Sequence, residues 1–348
     1  MPPERVPVPA PALEQMVAGI FVAHGLREAD AGVLARVLVW ANLRGIDSHG
    51  VSRALRYVEL CEKGDANARP EIRIERPRPA VVVVEGDRAP GPVALSAAMG
   101  SAIETARETG VAWAAVRATT LTGAIGYYTS LAAEAGMIGL GFVAGMPNMA
   151  YQGARGAAVA TSPLSIAVPA ERRPAVLLDM ATALVALGKI RQYKNQGKEL
   201  PEGWAATADG EPTTDPELAA VPLPLGGAKG SGMSLAFELL TSVLAGNAIV
   251  SAFHGGDKRH RQNAALVALD VAAFGPLDEF RRSVDETVDA LKGLRRLDDG
   301  EEIRFPGERG AAVEAERRAK GIPLPKKLWE TLSAEAEKLG VERPEPAA

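Results

Sequence analysis

The sequence predicts a layered α/β fold in which helices cover a largely buried sheet. Between about residue 80 and residue 145, short apolar runs such as Val81-Val82-Val83-Val84 alternate with longer segments of helical periodicity, which is typical of stacked layers of helices and strands. Hydrophobic residues make up 47% of the 348 residues, so a full core can form. This length suits two intertwined domains or one large α/β unit.

The first part of the chain is predicted to be helical. Leu13, Val17 and Ile20 fall on one face at helical spacing, and Gly64 is placed to end the last helix of this part. The three predicted helices cover residues 12–23, 28–43 and 51–63.

Strands and helices then alternate towards the end of the chain. Strands are predicted over residues 71–74, 80–85, 111–116, 137–144, 164–168, 175–178 and 264–269. Helices are predicted over residues 92–108, 124–135, 183–195, 233–244, 277–291 and 310–320. A glycine-rich loop, residues 226–232, precedes the fourth of these helices, and the Pro- and Glu-rich tail after Gly340 is predicted to fray. We expect the N-terminal helices to pack against the C-terminal helices.

Composition excludes several classes of protein. The formal net charge is −4, which argues against nucleic acid or an anionic membrane as the main partner, because both require a basic surface. Cys61 is the one cysteine, so no internal disulfide can form, as is usual in a reducing compartment. Residues 1–5 lack the start of a signal peptide, and no uncharged stretch is long enough to cross a bilayer. A cytoplasmic location is predicted.

The four histidines differ in their surroundings. His24 precedes Gly25 at a predicted helix end, where a cation is stabilised by the helix dipole, and is interpreted as structural. His254 and His260 lie in a basic, glycine-containing stretch that predicts a mobile surface loop. No cluster of thiolates or carboxylates accompanies them, so no metal site is predicted.

The fourth histidine, His49, lies between two predicted helices, where a polar side chain can face a cleft. Arg53 and Tyr57 follow one and two helical turns later and can share a wall with it. Arginine can bind a carboxylate through two hydrogen bonds, and histidine can transfer a proton near neutral pH. The alternative is that Asp47 or Ser48 caps the next helix and His49 only packs.

The glycine-rich loop also has two interpretations. Backbone N–H groups and Lys229 can attract a phosphate, or the loop can be a tight structural turn. It is not a P-loop, since Gly230 rather than Ser or Thr follows Lys229. Gly139-Leu140-Gly141 lies inside a predicted strand, so it is not a dinucleotide fingerprint.

Taken together, an ordered series of segments resembles the malate/L-lactate dehydrogenase type 2 family. The series covers nearly the whole chain, and its order is more specific than any one segment. Its members are Asp47-Ser48-His49-Gly50 with Arg53 and Tyr57, Gly123 with Gly126-Tyr127-Tyr128, Ser162-Pro163, Asp179-Met180-Ala181-Thr182, Gly188-Lys189-Ile190, Leu200-Pro201-Glu202-Gly203-Trp204, Pro224-Leu225-Gly226-Gly227, Lys229-Gly230-Ser231-Gly232 and Pro306-Gly307-Glu308-Arg309.

The resemblance implies a non-Rossmann, three-layer α/β/α mixed sheet of the sulfolactate dehydrogenase type, with a helical N- and C-terminal domain. Residues 1–118, joined by 275–340, would form the helical, substrate-side domain, residues 119–274 the nicotinamide-binding domain, and residues 341–348 a tail. The implied activity is hydride transfer between small 2-oxo acids and 2-hydroxy acids by a cytoplasmic homodimer. The cofactor would be NAD or NADP, and no residue indicates which.

The resemblance also implies roles for individual residues. His49 would donate the proton in reduction, supported by Ser48 and Asp179, while Arg53 would hold the substrate carboxylate beside Tyr57. The cofactor site would be formed by Ser162, Asp179, Met180, Ala181, Thr182, Lys229, Gly230, Gly307, Glu308 and Arg309.

Two positions depart from the family pattern. Leu121 stands where a histidine is expected, and leucine cannot transfer a proton. Three alternatives follow: the chemistry depends on His49 alone, the substrate is a cyclic or N-alkyl imino acid of the Δ1-piperideine-2-carboxylate type, or the protein binds cofactor with weakened activity. Gln262-Asn263 stands where relatives often carry Gly-His, which changes part of the expected cofactor contact.

Overall fold

A seven-stranded mixed sheet lies at the centre of the computed structural model, which describes residues 4–297 and 302–347. The strands are β1 (Arg5–Val8), β2 (Arg73–Arg78), β3 (Val81–Ala89), β4 (Val111–Thr119), β5 (Met137–Gly145), β6 (Leu164–Val168), β7 (Val176–Met180), β8 (Ala205–Ala206), β9 (Pro212–Thr213), β10 (Val221–Pro222), β11 (Gln262–Asp270) and β12 (Ile322–Pro325). The helices are α1 (Ala10–Ala23), α2 (Glu28–Leu43), α3 (Ala54–Glu62), α4 (Gly91–Thr109), α5 (Gly126–Glu134), α6 (Leu187–Asn195), α7 (Ala228–Glu238), α8 (Val250–His254), α9 (Leu277–Lys292), α10 (Glu308–Lys320) and α11 (Lys326–Lys338).

The order of strands in the main sheet is β2-β3-β4-β11-β5-β6-β7. Strands β3 and β4 are parallel, whereas β11 is antiparallel to both of its neighbours, with Leu266 opposite Ala114 on β4 and Gly141 on β5. A doubly wound dinucleotide fold has a mainly parallel sheet. The predicted non-Rossmann mixed sheet is therefore confirmed.

Helices cover both faces of this sheet. On one face, α4 and α5 pack on a core that includes Ala114 and Val116 of β4. On the other face, Trp113 stacks on Phe142 at a centroid distance of 6.4 Å, and Phe142 contacts Phe237 of α7 at 5.0 Å. Alternate residues of β4 thus face different helical layers, as the pleat of a strand requires. The predicted three-layer arrangement is confirmed.

A second core joins the two ends of the chain. Leu13 and Leu34 of the first two helices are buried in one cluster with Trp329 and Leu332 of α11. Strands β1 and β12 pair beside it. The expected packing of the N-terminal helices on C-terminal helices is confirmed. Helix α11 and these two strands are absent from the sequence predictions. The two strands have four residues each and contain proline, so they carry little periodicity.

Other predicted boundaries were wrong for identifiable reasons. Helix α7 begins at Ala228, inside the predicted loop, because Gly226 and Gly227 take positive φ angles of 58° and 59° and complete the turn by themselves. Helix α6 begins at Leu187 rather than 183, because Ala183 forms a β-bridge with Pro224. The small sheet of order β10-β8-β9 lies nearby and was not predicted.

The main sheet also crosses the predicted domain boundary. Strands from 73–119 and from 137–180 belong to the same sheet, and the boundary between 118 and 119 falls within β4. The boundaries themselves stay a prediction. Within the described ranges, no helix has both the length and the apolar character needed to cross a bilayer.

Candidate active site

The segment between α2 and α3 consists of two 3₁₀ turns, Asp47–His49 and Val51–Arg53. Buried Asn42 holds them together, because its Nδ2 donates to Asp47 Oδ1 at 2.7 Å and its Oδ1 accepts from the Val51 N–H at 2.8 Å. A Cβ atom at position 50 would overlap Asn42 Oδ1. Gly50 is therefore required for this close approach.

Arg317 of α10 fixes the same turns from the other side. Its guanidinium donates to both carboxylate oxygens of Asp47, at 2.6 and 3.2 Å. Helix α3 begins after Arg53 without a side-chain cap. The alternative interpretation, in which Asp47 or Ser48 caps the next helix, is therefore wrong, and the turns are free to present side chains to a cleft.

His49 is half-buried at the end of the first turn. Its Nδ1 lies 3.0 Å from Ser48 Oγ, so any support from Ser48 would be direct. Its Nε2 makes no hydrogen bond to any described residue, and it lines the cleft. Burial and the nearby positive charge of Arg53 lower the pKa of His49 from 6.5 to about 4. The imidazole is neutral at pH 7 in this state.

Arg53 enters the same cleft from the second turn. Its Nε donates to the Ser48 carbonyl at 2.7 Å, which sets the direction of the guanidinium. The two terminal nitrogens donate no hydrogen bond within the described ranges. Burial lowers the pKa of Arg53, and the positive charge of Arg191 acts in the same direction. An anion at the terminal nitrogens would relieve this repulsion.

Tyr57 lies behind the cleft rather than in its wall. Its side chain is 1% exposed and packs edge-on against Phe21 at 6.5 Å. Burial raises the pKa of Tyr57 well above its usual value. Its hydroxyl has no hydrogen-bond partner within the described ranges. Tyr57 is not among the residues that line the cleft, and its predicted place beside the substrate stays a prediction.

The cleft itself has a volume of about 420 Å³, within the usual range for small-molecule sites. It brings together residues that are far apart in the sequence. The predicted site residues that line it are Ser48, His49, Arg53, Leu121, Asp179, Met180 and Ala181. Gly188, from one of the segments that carry the family resemblance, also lines it, and so does Asn148, which nothing in its local sequence distinguishes.

Asp179 lies in β7 on the far wall of the cleft. Its Oδ2 accepts from the N–H of Gly126, the first residue of α5, at 3.0 Å. Burial raises the pKa of Asp179 from 3.8 to about 6, partly offset by this hydrogen bond. In the described structure no hydrogen bond or ion pair joins Asp179 to His49. Any effect of Asp179 on His49 would therefore be indirect.

The remaining predicted cofactor residues form two groups. Next to the cleft, Ser162 and Thr182 are buried. Ser162 Oγ lies 3.2 Å from Ser234 Oγ of α7, and Thr182 Oγ1 has no hydrogen-bond partner among the described residues. Gly230 packs against the Thr182 carbonyl, and Lys229 is exposed on the first turn of α7. The wall of the cleft is thus continuous with the start of α7.

The glycine-rich segment behaves as a turn. The N–H groups of Gly227, Lys229 and Gly230 already donate to the carbonyls of Pro224, Gly226 and Leu225. The tight-turn interpretation is confirmed, and these N–H groups cannot also cradle a phosphate without leaving their partners. A phosphate at this position would rely mainly on the Lys229 ammonium group.

The second group, Gly307-Glu308-Arg309, lies at the start of α10 and does not line the cleft. The Gly307 carbonyl accepts from Arg44 Nη2 at 3.1 Å. Glu308 accepts from the Phe305 N–H at 3.2 Å and pairs with Lys292, and Arg309 is exposed. The structure therefore does not bring these three residues to His49.

The other histidines lie outside the cleft. His24 Nε2 lies 3.0 Å from Glu335 Oε1, so it joins α1 to α11 and its predicted structural role is confirmed. His254 Nε2 lies 2.9 Å from the Ala158 carbonyl, and His260 is half-buried. Among the residues that the structure describes, no group of His, Cys, Asp and Glu side chains is arranged to hold a metal ion.

Comparison with known proteins agrees with this geometry. A family model described as malate/L-lactate dehydrogenase matches residues 8–333. The chain belongs to this family. A malate dehydrogenase from Pyrococcus abyssi is 36% identical in an alignment of 347 residues that covers 97% of this chain and 96% of that relative. A Δ1-pyrroline-2-carboxylate reductase from Ancylobacter novellus is 31% identical over 90% of this chain and 93% of its own length.

A solved structure of this family has the same fold. The malate dehydrogenase from Pyrococcus horikoshii superimposes with a TM-score of 0.88 and 32% sequence identity, covering 98% of this chain and 97% of that one. As a member of the malate/L-lactate dehydrogenase family, the protein is an oxidoreductase that depends on a nicotinamide cofactor.

The residues around the cleft fit such a cofactor. Met180, Ala181 and Leu187 offer apolar surface to a planar ring. Thr182 Oγ1 is a buried polar atom without a partner in the described structure, and Lys229 supplies a positive charge for a phosphate. When bound, a nicotinamide cofactor supplies or accepts the hydride.

Proposed function

We propose that the protein interconverts small 2-oxo acids and 2-hydroxy acids, with NAD or NADP as the hydride carrier. One observation carries this proposal. His49 and Arg53 enter one cleft side by side, each with nitrogen atoms that no described residue occupies. The first can transfer a proton to an oxygen, and the second can bind a carboxylate. A 2-oxo acid carries a carbonyl oxygen and a carboxylate on adjacent carbon atoms.

The two side chains act in sequence. Arg53 binds the substrate carboxylate through its terminal nitrogens, since its Nε is already held by the Ser48 carbonyl. The bound carboxylate cancels the positive charge that lowers the pKa of His49, so the imidazole takes up a proton more readily. His49 Nε2 then donates that proton to the 2-oxygen as the hydride reaches carbon 2, and Ser48 keeps the ring in place through Nδ1.

The test is the oxidation of NADH and NADPH over one panel of 2-oxo acids and cyclic imino acids. We expect turnover mainly with 2-oxo acids, and an increase in KM of about 100-fold for every acid in Arg53→Ala, because a lost charge-assisted pair costs about 3 kcal/mol. Arg56→Ala is the matched control, since Arg56 pairs with Glu59 on the exposed side of α3. An unchanged KM in Arg53→Ala would contradict the proposal.

A second candidate is the reduction of cyclic or N-alkyl imino acids. Leu121 favours it, because an apolar side chain lines the cleft where the family pattern has a histidine, and an apolar wall suits a ring. Turnover mainly with the imino acids of the panel would support this candidate. Cofactor binding without turnover of any acid would instead support a protein of weakened activity.

We further propose that the protein acts as a homodimer in the cytoplasm. Side chains on the outer face of α7 and the π-helical turn after it are apolar and exposed. They are Leu235, Leu239, Leu240, Val243 and Leu244. Such a continuous apolar surface is typical of a protein interface. The free thiol of Cys61 is consistent with a reducing compartment.

A further inference from the structure

Gln262 is the first residue of β11 and lines the cleft that holds His49 and Arg53. It pairs with Thr119 on β4 and with Gly145 on β5. A Cβ atom on Gly145 would lie 3.1 Å from Gln262 Cγ, so the glycine leaves room for this side chain. The centre of the main sheet therefore positions the Gln262 carboxamide.

The orientation of this carboxamide follows from one hydrogen bond. The Thr122 N–H donates to Gln262 Oε1 at 2.9 Å. Because a backbone N–H can only donate, the bonded atom must be the oxygen and not the nitrogen. The Nε2 group lies beside Gly145, 3.4 Å from the place of a Cβ atom on that glycine, and it makes no hydrogen bond to any residue that the structure describes. The residue is half-buried, which leaves Nε2 as an available donor.

Among the described residues that line the cleft, Asn148 carries a second carboxamide, whose Oδ1 accepts from the Thr161 N–H at 2.9 Å. Leu121 precedes Thr122 in the same wall and has no polar side-chain atom. Among the described residues that line the cleft, the titratable side chains are His49, Arg53 and Asp179. A carboxamide cannot transfer a proton, but its N–H can polarise and orient an acceptor.

We propose that Gln262 determines the substrate class by donating a hydrogen bond from Nε2 to the oxygen on carbon 2 of the substrate. A 2-oxo acid has an oxygen acceptor at this position. A protonated cyclic imino acid has an N–H donor there, which would face the Gln262 donor without a partner. The residue thus selects 2-oxo acids over imino acids. This inference rests on the proposed function and concerns the same cleft.

The variant Gln262→Glu tests this role. The carboxylate can still accept from the Thr122 N–H, but its second oxygen can only accept. We expect kcat/KM for 2-oxo acids to fall by about tenfold and kcat/KM for a cyclic imino acid to rise by about tenfold, so that their ratio shifts by about 100-fold. Gln196→Glu, the same change at an exposed position after α6, should leave the ratio unchanged.

A binding measurement tests the same contact without turnover. Furan-2-carboxylate and pyrrole-2-carboxylate have the same charge and shape, but one has a ring oxygen and the other a ring N–H. By calorimetry, the wild type should bind the furan acid more tightly, and Gln262→Glu the pyrrole acid, with a shift of about tenfold in the ratio of Kd values. Gln262→Met, which has no donor and no charge, should bind the two acids about equally.

The outcomes separate the two proposals. Normal turnover of 2-oxo acids with unchanged ratios in Gln262→Glu and Gln262→Met would overturn the role of Gln262 and leave the proposed function intact. Binding of neither probe by the wild type would overturn both. If Gln262→Glu does not fold, as judged by circular dichroism, the ratio measured for Gln262→Met decides.

Discussion

The charge state of His49 depends on whether an anion is bound to the guanidinium group of Arg53. In the ligand-free protein, burial and the neighbouring guanidinium hold the pKa of His49 near 4. Between pH 6.5 and about 4 the unfolded chain therefore binds a proton that the folded chain does not. This difference lowers the stability of the fold as the pH falls through that window. A carboxylate bound to Arg53 reverses part of the effect, so substrate binding and proton uptake are linked.

Replacement of Arg53 should reveal this link directly. In Arg53→Gln the positive charge is lost and the side chain stays polar, so we expect the pKa of His49 to rise from about 4 towards its usual value. The measurement is an NMR titration of the imidazole Cε1–H signals. His24, His254 and His260 lie outside the cleft and act as internal controls. A pKa that stays near 4 would show that burial alone sets it.

At the scale of elements, the two 3₁₀ turns between α2 and α3 are held by groups from distant parts of the chain. Asn42 comes from α2 and Arg317 from α10, and both bond to Asp47. Gly50 completes the arrangement, because any side chain there would meet Asn42. The positions of His49 and Arg53 therefore depend on the packing of α2 and α10, and not on the turn sequence alone.

A pair of glycine variants tests this dependence. Gly50→Ala should lower the free energy of unfolding by about 1–3 kcal/mol, the usual cost of overpacking. It should also lower kcat/KM, since His49 would move. The matched control is Gly32→Ala in α2, where a Cβ atom has nothing within 4 Å, and which should raise stability by up to about 1 kcal/mol. Urea unfolding measures both, and equal stabilities would contradict the close approach at Gly50.

At the scale of the whole molecule, exposed apolar side chains extend from Leu235 of α7 into the π-helical turn that follows this helix. Leu239 and Leu244 are 50% and 61% exposed. If a second copy of the chain packed against these side chains, they would be removed from contact with water. The burial of this apolar surface would stabilise the dimer.

Charged substitutions on this face should separate the subunits. We expect Leu239→Glu combined with Leu244→Glu to sediment as a monomer at a concentration at which the wild type sediments as a dimer, because burying two carboxylates at an interface is unfavourable. Phe274→Glu is the control. Phe274 is 76% exposed, but it follows the C-terminal end of β11 and does not belong to this apolar face. A dimer that survives the double substitution would place the interface elsewhere.

Local sequence was sufficient for much of the fold. Helix α2 was predicted over the residues it occupies, and strands β4, β5 and β11 were recognised from their apolar runs. Seven of the predicted site residues line one cleft, from Ser48 and His49 to Asp179 and Ala181. Both kinds of signal lie within a few consecutive residues, so they can be read before the chain folds.

Only the tertiary structure decided the features that depend on residues far apart in the chain. Local periodicity does not specify that β11 lies between β4 and β5, or that β1 pairs with β12, because strand pairing joins segments far apart in the chain. The same holds for the site, where Tyr57 lies behind the cleft and Gly307 lies away from it. Gln262 offers its Nε2 as a donor because the Thr122 N–H binds its Oε1 and so fixes the orientation of the carboxamide. A side chain's direction is set by the neighbours that folding brings to it, and those neighbours are not adjacent in the sequence.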